Sequence, residues 1–254
     1  MQKTMTGWFK KTFFLSILVS GAAALAACGG GGGSATGGGA NAPKGELAVS
    51  LTDANECNFE AVNVTVEKVR VHQRGDASDH DGGWIEIVPP NAPVKVNLLD
   101  LQNGAMTDLG LASLPAAHYT QVRLHLVPNT GTTAPFNDSV VDSTGKEFPL
   151  EIPPGFHNGI KLKPEFDIVA GKREELILDV DACRSIVKGK DGSYYLRPRL
   201  LTVRKSEAGS IVGAVKPIGV NTVVKAEVNG FVYKQTRVRA DGTFTLAPLP
   251  NGIG

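Results

Sequence analysis

The stretch that decides the fold is YTQVRLHLV, residues Tyr119 to Val127. Apolar and polar side chains alternate along it, with Val122, Leu124 and Leu126 in one set and Gln121, Arg123 and His125 in the other. Alternation with a period of two is typical of a β-strand, because successive side chains point to opposite faces of a sheet. This segment therefore predicts a strand with one apolar and one polar face.

The same period recurs on both sides of this segment. Ala61 to His72 alternates and then slips by one residue, which predicts either a β-bulge near Glu67 and Lys68 or a strand that changes its buried face. The segment nearest to a helical stripe is Thr107 to Ala117, and Pro115 limits it to a turn or two. We therefore expect an all-β fold, an antiparallel β-sandwich of Greek-key, immunoglobulin-like or prealbumin-like type. The other predicted strands are Glu46–Thr52, Trp84–Val88, Val94–Leu99, Gly159–Val169, Glu174–Val180 and Tyr194–Val203.

The N-terminus has the layout of a secretory signal peptide over residues 1–27. Three lysines precede a short apolar run, which is followed by small residues. Leu25, Ala26, Ala27 and Cys28 resemble a bacterial lipobox, which implies cleavage after Ala27 and acylation of Cys28. Residues 28–43 are glycine-rich and predict a flexible tether. Because Gly29, and not aspartate, follows the cysteine, we expect a lipoprotein of the outer membrane in the cell envelope.

Seven segments between residues 44 and 205 together resemble one family of bacterial lipoproteins, domain of unknown function (DUF) 4382. The resemblance implies an extracytoplasmic β-sandwich and carries no catalytic residues. The segments are LAVSLTDA at 47–54, EAVNVTVEKVRVH at 60–72, GGWIEI at 82–87, VNLLDLQNG at 96–104, LPAAHYTQVRLHL at 114–126, GIKLKPEFDI at 159–168 and LDVDACRSIV at 178–187.

Residues 206–254 form a further predicted unit of short strands and tight turns. Val228-Asn229-Gly230-Phe231 and Ala240-Asp241-Gly242-Thr243 each predict a hairpin. The stretch resembles the start of a carboxypeptidase-regulatory-like, or prealbumin-like, module. DGTFTLAPLPNG would precede its final strand, so we expect a partial second β-sandwich.

Three cysteines in an exported chain leave one unpaired. Lipid attached to Cys28 would account for the odd cysteine, so we expect the remaining two, Cys57 and Cys183, to form a disulfide in an oxidising compartment. Two buried free thiols are the alternative.

Charge and motifs narrow the function further. Without the three leader lysines the chain has 23 basic and 25 acidic residues, which disfavours a nucleic-acid partner. The motifs G-x-S-x-G, S-x-x-K and H-E-x-x-H are absent, and no cofactor is implied, so we do not expect an enzyme. Asp179 and Asp181 lie two residues apart on one strand and could form a carboxylate pair for a hydrolase, or could be outward polar positions.

Two clusters could contact a ligand. Asp76, Asp79 and Asp81 crowd one loop beside His80, as weak candidates for a calcium site, although a solvated hairpin tip has the same composition. Trp84, Tyr194 and Tyr195 could stack on a sugar, and the two adjacent tyrosines should point to opposite faces. We therefore expect a lipid-anchored, non-enzymatic module that binds a carbohydrate. The alternatives are a structural role with an envelope protein as partner and, with less support, a hydrolase.

Overall fold

The computed structural model describes residues 42–53, 58–219 and 221–250, and residues from 42 onward belong to one compact unit. In these ranges the chain forms nineteen strands, one short α-helix, α1, and three short 3-10 helices at Leu98–Leu101, Pro154–Phe156 and Lys205–Glu207. In chain order the elements are β1 Lys44–Asp53, β2 Phe59–His72, β3 Ile85–Ile87, β4 Val94–Asn97, β5 Thr107–Pro115, β6 Ala117–Tyr119, β7 Gln121–Leu126, β8 Ser139–Asp142, β9 Glu147–Glu151, β10 Ile160–Leu162, β11 Phe166–Ile168, β12 Arg173–Val180, α1 Ala182–Ser185, β13 Ile186–Lys188, β14 Tyr194–Leu196, β15 Leu200–Arg204, β16 Ala208–Ala214, β17 Val223–Val228, β18 Phe231–Arg237 and β19 Thr243–Pro250.

The strands form an all-β sandwich, as the alternation predicts. One sheet has the order β15-β12-β1-β5, and the larger sheet runs β10-β7-β2-β8-β9-β14-β13, with β3 and β4 also paired to β2. The predominantly apolar inner faces meet in one core, to which β1 contributes Leu47, Val49 and Leu51. Most pairs are antiparallel, but β1 pairs with β12 in parallel, and Asp53 lies beside Val180 at the end of that ladder.

The predicted bulge in β2 is confirmed. The register between β2 and β7 shifts between Val66 and Lys68. Val62, Val64 and Val66 are buried before the shift, and Val69 and Val71 are buried after it. The extra residue therefore keeps valines on the core face along the whole strand.

The segment nearest to a helical stripe is instead β5, the nine-residue strand Thr107–Pro115, which pairs antiparallel with β1. A bulge opposite Val49 and Ser50 breaks its alternation, because Leu109 has no partner in the register. Gly110, the residue after this bulge, has a φ of 113°. Pairing with β1 thus makes residues 107–115 a strand, and the local periodicity of the sequence does not reveal this.

The C-terminal strands form two pairs, β16 with β19 and β17 with β18. Asn229 and Gly230 both have positive φ, and Val228 pairs with Phe231, so the first predicted hairpin is confirmed. The second predicted hairpin is present only as a turn: the Gly242 amide donates to the Arg239 carbonyl, while the flanking strands pair elsewhere.

These strands contact the sandwich through Asn103, which lies before β5. Its side-chain amide donates to the Arg237 carbonyl at 2.9 Å, and its side-chain oxygen accepts from the Thr245 amide at 3.1 Å. The Arg239 guanidinium donates to the Asn103 carbonyl at 2.9 Å. The Asn103 backbone amide also donates to the Thr236 hydroxyl oxygen at 3.2 Å, so this loop residue of the sandwich is hydrogen-bonded to four residues of the C-terminal part of the chain.

Candidate functional site

An open groove of about 430 Å³ lies where β9, β13 and β14 meet at the end of the larger sheet. Tyr194 on β14 pairs with Leu150 on β9 and with Lys188 on β13, so three strands set the geometry of the groove. Pockets of this size hold small molecules in other proteins. Its lining residues are Phe148, Pro149, Lys188, Asp191, Gly192, Ser193 and Tyr194.

The floor of the groove is aromatic. The ring centroids of Phe148 and Tyr194 are 5.4 Å apart with planes tilted by 59°, and Tyr194 also makes an edge contact with Phe59 at 5.7 Å. Tyr194 is only 7% exposed, whereas Phe148 is half-buried. The core therefore fixes Tyr194, and Phe148 presents more of its ring to the groove.

The rim is polar and is held by the turn between β13 and β14. The Gly189 amide donates to the Ser193 carbonyl at 2.8 Å, which closes the turn. Asp191 accepts one hydrogen bond from the Ser193 amide at 3.1 Å and another from the Tyr195 hydroxyl at 3.2 Å. The Ser193 amide holds the pKa of Asp191 below its ordinary value, so the carboxylate is ionised at neutral pH.

Two lysine ammonium groups lie over the aromatic floor. The Nζ atom of Lys146 is 4.8 Å from the Phe148 ring centroid, and the Nζ atom of Lys188 is 5.3 Å from that of Tyr194. Both lysines are exposed. The groove thus combines apolar ring surface with one carboxylate and two cations. This composition suits a ligand that has both apolar faces and hydroxyl groups.

The adjacent tyrosines differ as the sequence predicts. Tyr194 is buried in the groove floor, and Tyr195 is 36% exposed. Because Tyr194 has little free surface, it cannot serve as the exposed stacking ring expected from the sequence. Tyr195 contacts the site through its hydroxyl, which orients Asp191. Sequence reasoning missed Phe148; an aromatic residue beside Pro149 in the unpredicted strand β9 was its only signal.

Trp84, the third aromatic candidate, is half-buried and lies apart from the groove residues. The guanidinium carbons of Arg70 and Arg123 are each 4.7 Å from its ring centroid, and the His72 ring is 5.0 Å away. Its indole N–H donates to the Ser78 carbonyl at 2.8 Å. These contacts occupy the ring, so Trp84 is a packing element rather than a free platform for a sugar.

The acidic loop is neutralised by arginines. Asp79 accepts hydrogen bonds from Arg70 at 2.6 Å and Arg123 at 3.2 Å. Asp81 contacts Arg74 and accepts from the Ser78 hydroxyl, which holds the pKa of Asp81 below its ordinary value. Asp76 lies 3.7 Å from Arg74. In the part of the chain that the structure describes, no three acidic, histidine or cysteine side chains are grouped to hold a metal.

Asp179 and Asp181 take neither of their expected roles. Asp181 caps α1 by accepting from the Arg184 amide at 3.0 Å. Asp179 is largely buried against Lys234 on β18, whose Nζ donates to its carboxylate at 2.7 Å. The two residues line a cleft of about 400 Å³ between β12 and β18, with Tyr233 and Arg199 on its walls. Sequence reasoning did not single out Lys234.

Cys28 and Cys57, with the whole predicted leader and tether as far as residue 41, lie outside the described residues. Cys183 lies in α1. It follows Val180 by three residues, and Val180 pairs with Asp53 at the end of the ladder between β1 and β12. Lipidation of Cys28 and the pairing of Cys57 with Cys183 remain predictions. Among the described helices, none is long and apolar enough to cross a membrane.

The geometry defines the class of protein as an all-β sandwich with an open, partly aromatic groove. The family model for domain of unknown function (DUF4382) matches residues 44–198, which span β1 to β14. The chain belongs to this family, as the seven sequence segments predict. No curated protein and no solved structure matches the chain.

Proposed function

We propose that this protein is a lipid-anchored module of the cell envelope that binds a carbohydrate in the groove between β9, β13 and β14, without catalysing a reaction. The single observation that supports this proposal most strongly is the partly exposed ring of Phe148 on the groove floor, beside a rim that carries Asp191. Sugar rings have apolar C–H faces that stack on aromatic side chains and hydroxyl groups that bind carboxylates.

The electrostatics of the rim support a hydroxylated ligand. Asp191 is held by two hydrogen bonds from protein donors, and its ionised oxygens have further acceptor capacity. Lys188 is exposed, so its ammonium group can turn from the Tyr194 ring to a ligand oxygen at small cost. The groove therefore offers both an acceptor and a donor beside the aromatic floor.

A glycan array probed with the purified chain tests carbohydrate binding. We expect Phe148→Ala to lower the affinity for any bound glycan about tenfold or more, because one stacking contact is removed. Phe231→Ala is the matched control, since Phe231 is an aromatic residue outside the groove and is 77% exposed. Binding to no glycan, or equal loss in both variants, would contradict the proposal.

The anchor is supported by the lipobox-like sequence Leu25 to Cys28 and by the glycine-rich tether that follows it. Growth with radioactive palmitate should label the wild-type protein and should leave a Cys28→Ser variant unlabelled. Two or more acyl chains hold a protein stably on a bilayer, whereas one chain gives only marginal binding. An unlabelled wild-type band would refute the anchor without affecting the groove.

A protein partner in the envelope is a second candidate, favoured by β16. Among the described residues β16 pairs with β19 alone, and two of its own side chains, Ile211 and Val212, are 49% and 69% exposed. Strand edges with exposed apolar side chains can add a strand from another protein. A Val212→Lys variant that loses co-purification of one defined envelope protein, while it retains glycan binding, would favour this role.

A further inference from the structure

Lys234 on β18 and Asp179 on β12 meet in the interior of the molecule. The Nζ atom of Lys234 lies 2.7 Å from Oδ2 of Asp179, and the two side chains are 3% and 12% exposed. The residues lie 55 positions apart, and they connect the C-terminal strands to the sandwich. Their amine and carboxyl groups are therefore held together and away from water.

The surroundings of the pair limit its hydrogen bonds. Lys234 has one further acceptor, the Pro248 carbonyl at 3.1 Å, and Oδ1 of Asp179 has no hydrogen-bond partner among the described residues. Buried ion pairs are stabilising only where further hydrogen bonds satisfy both partners. The pair is thus poorly satisfied as an ordinary salt bridge.

Two further carboxyl groups, those of Asp53 and Asp181, act electrostatically on the Lys234 amine. Asp53, at the end of β1, is fully buried, and its Oδ1 accepts from the Ala182 amide at 3.2 Å. Asp181 is occupied by the cap of α1 and by Arg184.

Burial shifts the pKa values of Asp179 and Lys234 in opposite directions. It raises the pKa of the Asp179 carboxyl against the attraction of Lys234, and it lowers the pKa of the Lys234 amine against the attraction of Asp179. Both changes favour the neutral forms, an amine with a free lone pair and a protonated carboxyl. A neutral amine is the nucleophilic form of lysine.

We propose that Lys234 and Asp179 condense to form an intramolecular amide bond between Nζ and Cγ. The Nζ lone pair attacks Cγ of the protonated carboxyl group, and the tetrahedral intermediate then breaks its C–O bond. The nitrogen loses a proton and the leaving hydroxyl gains one, so the hydroxyl departs as water. The amine and the carboxylic acid thus yield one amide and one water molecule, with no oxidant, reductant or cofactor.

The close contact between Lys234 and Asp179 favours this step. Groups held in contact can react with effective concentrations far above those reached in solution. The bond would join β18 to β12 covalently and would restrict the unfolded chain as a disulfide does, without sensitivity to reductants. It would thereby fix the C-terminal strands to the sandwich, independently of any ligand in the groove.

Mass spectrometry of the full chain tests this proposal. After reduction, the wild-type protein should be lighter by one water molecule than its unlinked processed sequence. Trypsin should release residues 174–184 joined to residues 226–237, because the modified Lys234 resists cleavage. An unmodified intact mass, with residues 226–234 released as a free peptide, would overturn the proposal.

Three variants separate the bond from mere contact. Lys234→Arg retains a cation but cannot form the amide, and Asp179→Ala removes the carbon that is attacked, so both should show the full unlinked mass. If Asp179→Asn reacts, it loses ammonia and should give a linked peptide pair identical in mass to that of the wild type.

Discussion

The guanidinium carbon of Arg123 on β7 lies 4.7 Å from the centre of the ring of Trp84, which immediately precedes β3. Arg123 is only 7% exposed, and it donates to the Ala77 carbonyl at 2.8 Å and to the Asn158 carbonyl at 3.2 Å. Asp79 supplies its countercharge. Trp84 therefore covers a buried arginine on the outer face of β7.

Replacement of Trp84 by alanine should lower the free energy of unfolding by about 2–4 kcal/mol, because ring packing is lost and two arginines lose a cation–π contact. Urea denaturation measures the change. Trp84→Phe should recover part of the loss, since a ring remains over Arg123. A loss no greater than that of the exposed control Phe231→Ala would refute this role.

Gly110 should not tolerate a side chain. A Cβ atom there would lie 2.6 Å from the Val88 carbonyl oxygen, and the φ of 113° is strained for any L-residue. Gly110→Ala should therefore cost about 3 kcal/mol or more in thermal or urea unfolding. Gly82→Ala is the matched control, because a Cβ at Gly82 has no atom within 4 Å. Equal stabilities of the two variants would contradict the bulge geometry.

Asp138 should make the stability depend on pH. It is fully buried, with Oδ1 accepting from the Thr65 amide at 2.8 Å, and burial raises its pKa from 3.8 to about 7. The folded protein therefore binds this proton more tightly than the unfolded chain, and this contribution to the free energy of unfolding falls as the pH rises between these values.

Asp138→Asn keeps an oxygen for the Thr65 amide but cannot ionise. Relative to wild type, its free energy of unfolding should improve by at most about 4 kcal/mol as the pH rises from 4 to 8. Urea denaturation at several pH values measures this slope, which is independent of a constant cost for burying the new amide. A difference that does not change with pH would show that Asp138 does not titrate in this window.

Asn103 should hold the C-terminal strands against the sandwich. Asn103→Ala removes the acceptor of the Thr245 amide and places alanine at a φ of 58°, so hydrogen exchange of the Thr245 amide should accelerate at least tenfold. Asn103→Gly accepts the positive φ and isolates the loss of the side chain. Unchanged exchange in both variants would mean that other contacts hold these strands.

The elements that the sequence predicts best have local causes. The bulge near Glu67 and Lys68 follows from a one-residue slip in the alternation of the valines along β2. The hairpin at Asn229 and Gly230 follows from the left-handed backbone that these two residues tolerate. The opposite faces of Tyr194 and Tyr195 follow from the pleat of a strand.

What the sequence does not predict depends on distant partners. β7 has the expected alternation, yet Arg123 and His125 on its polar face are buried, because the Trp84 segment and Gly159 cover them. Burial lowers the pKa of His125, and its Nε2 has no hydrogen-bond partner among the described residues. Likewise, nothing in the local pattern of β18 marks Lys234 as the partner of Asp179, since only the fold brings them together.

The position of β1 has a mechanical consequence. It begins at Lys44, immediately after the predicted tether, and it is an interior strand that pairs with β12 on one side and β5 on the other. A pull along β1 from the membrane would load both hydrogen-bond ladders in shear, so that many bonds must fail together rather than one after another. Under the proposed lipid anchor, the strand nearest the membrane would be the one that the sandwich holds at both edges, an arrangement that resists tension on the tether.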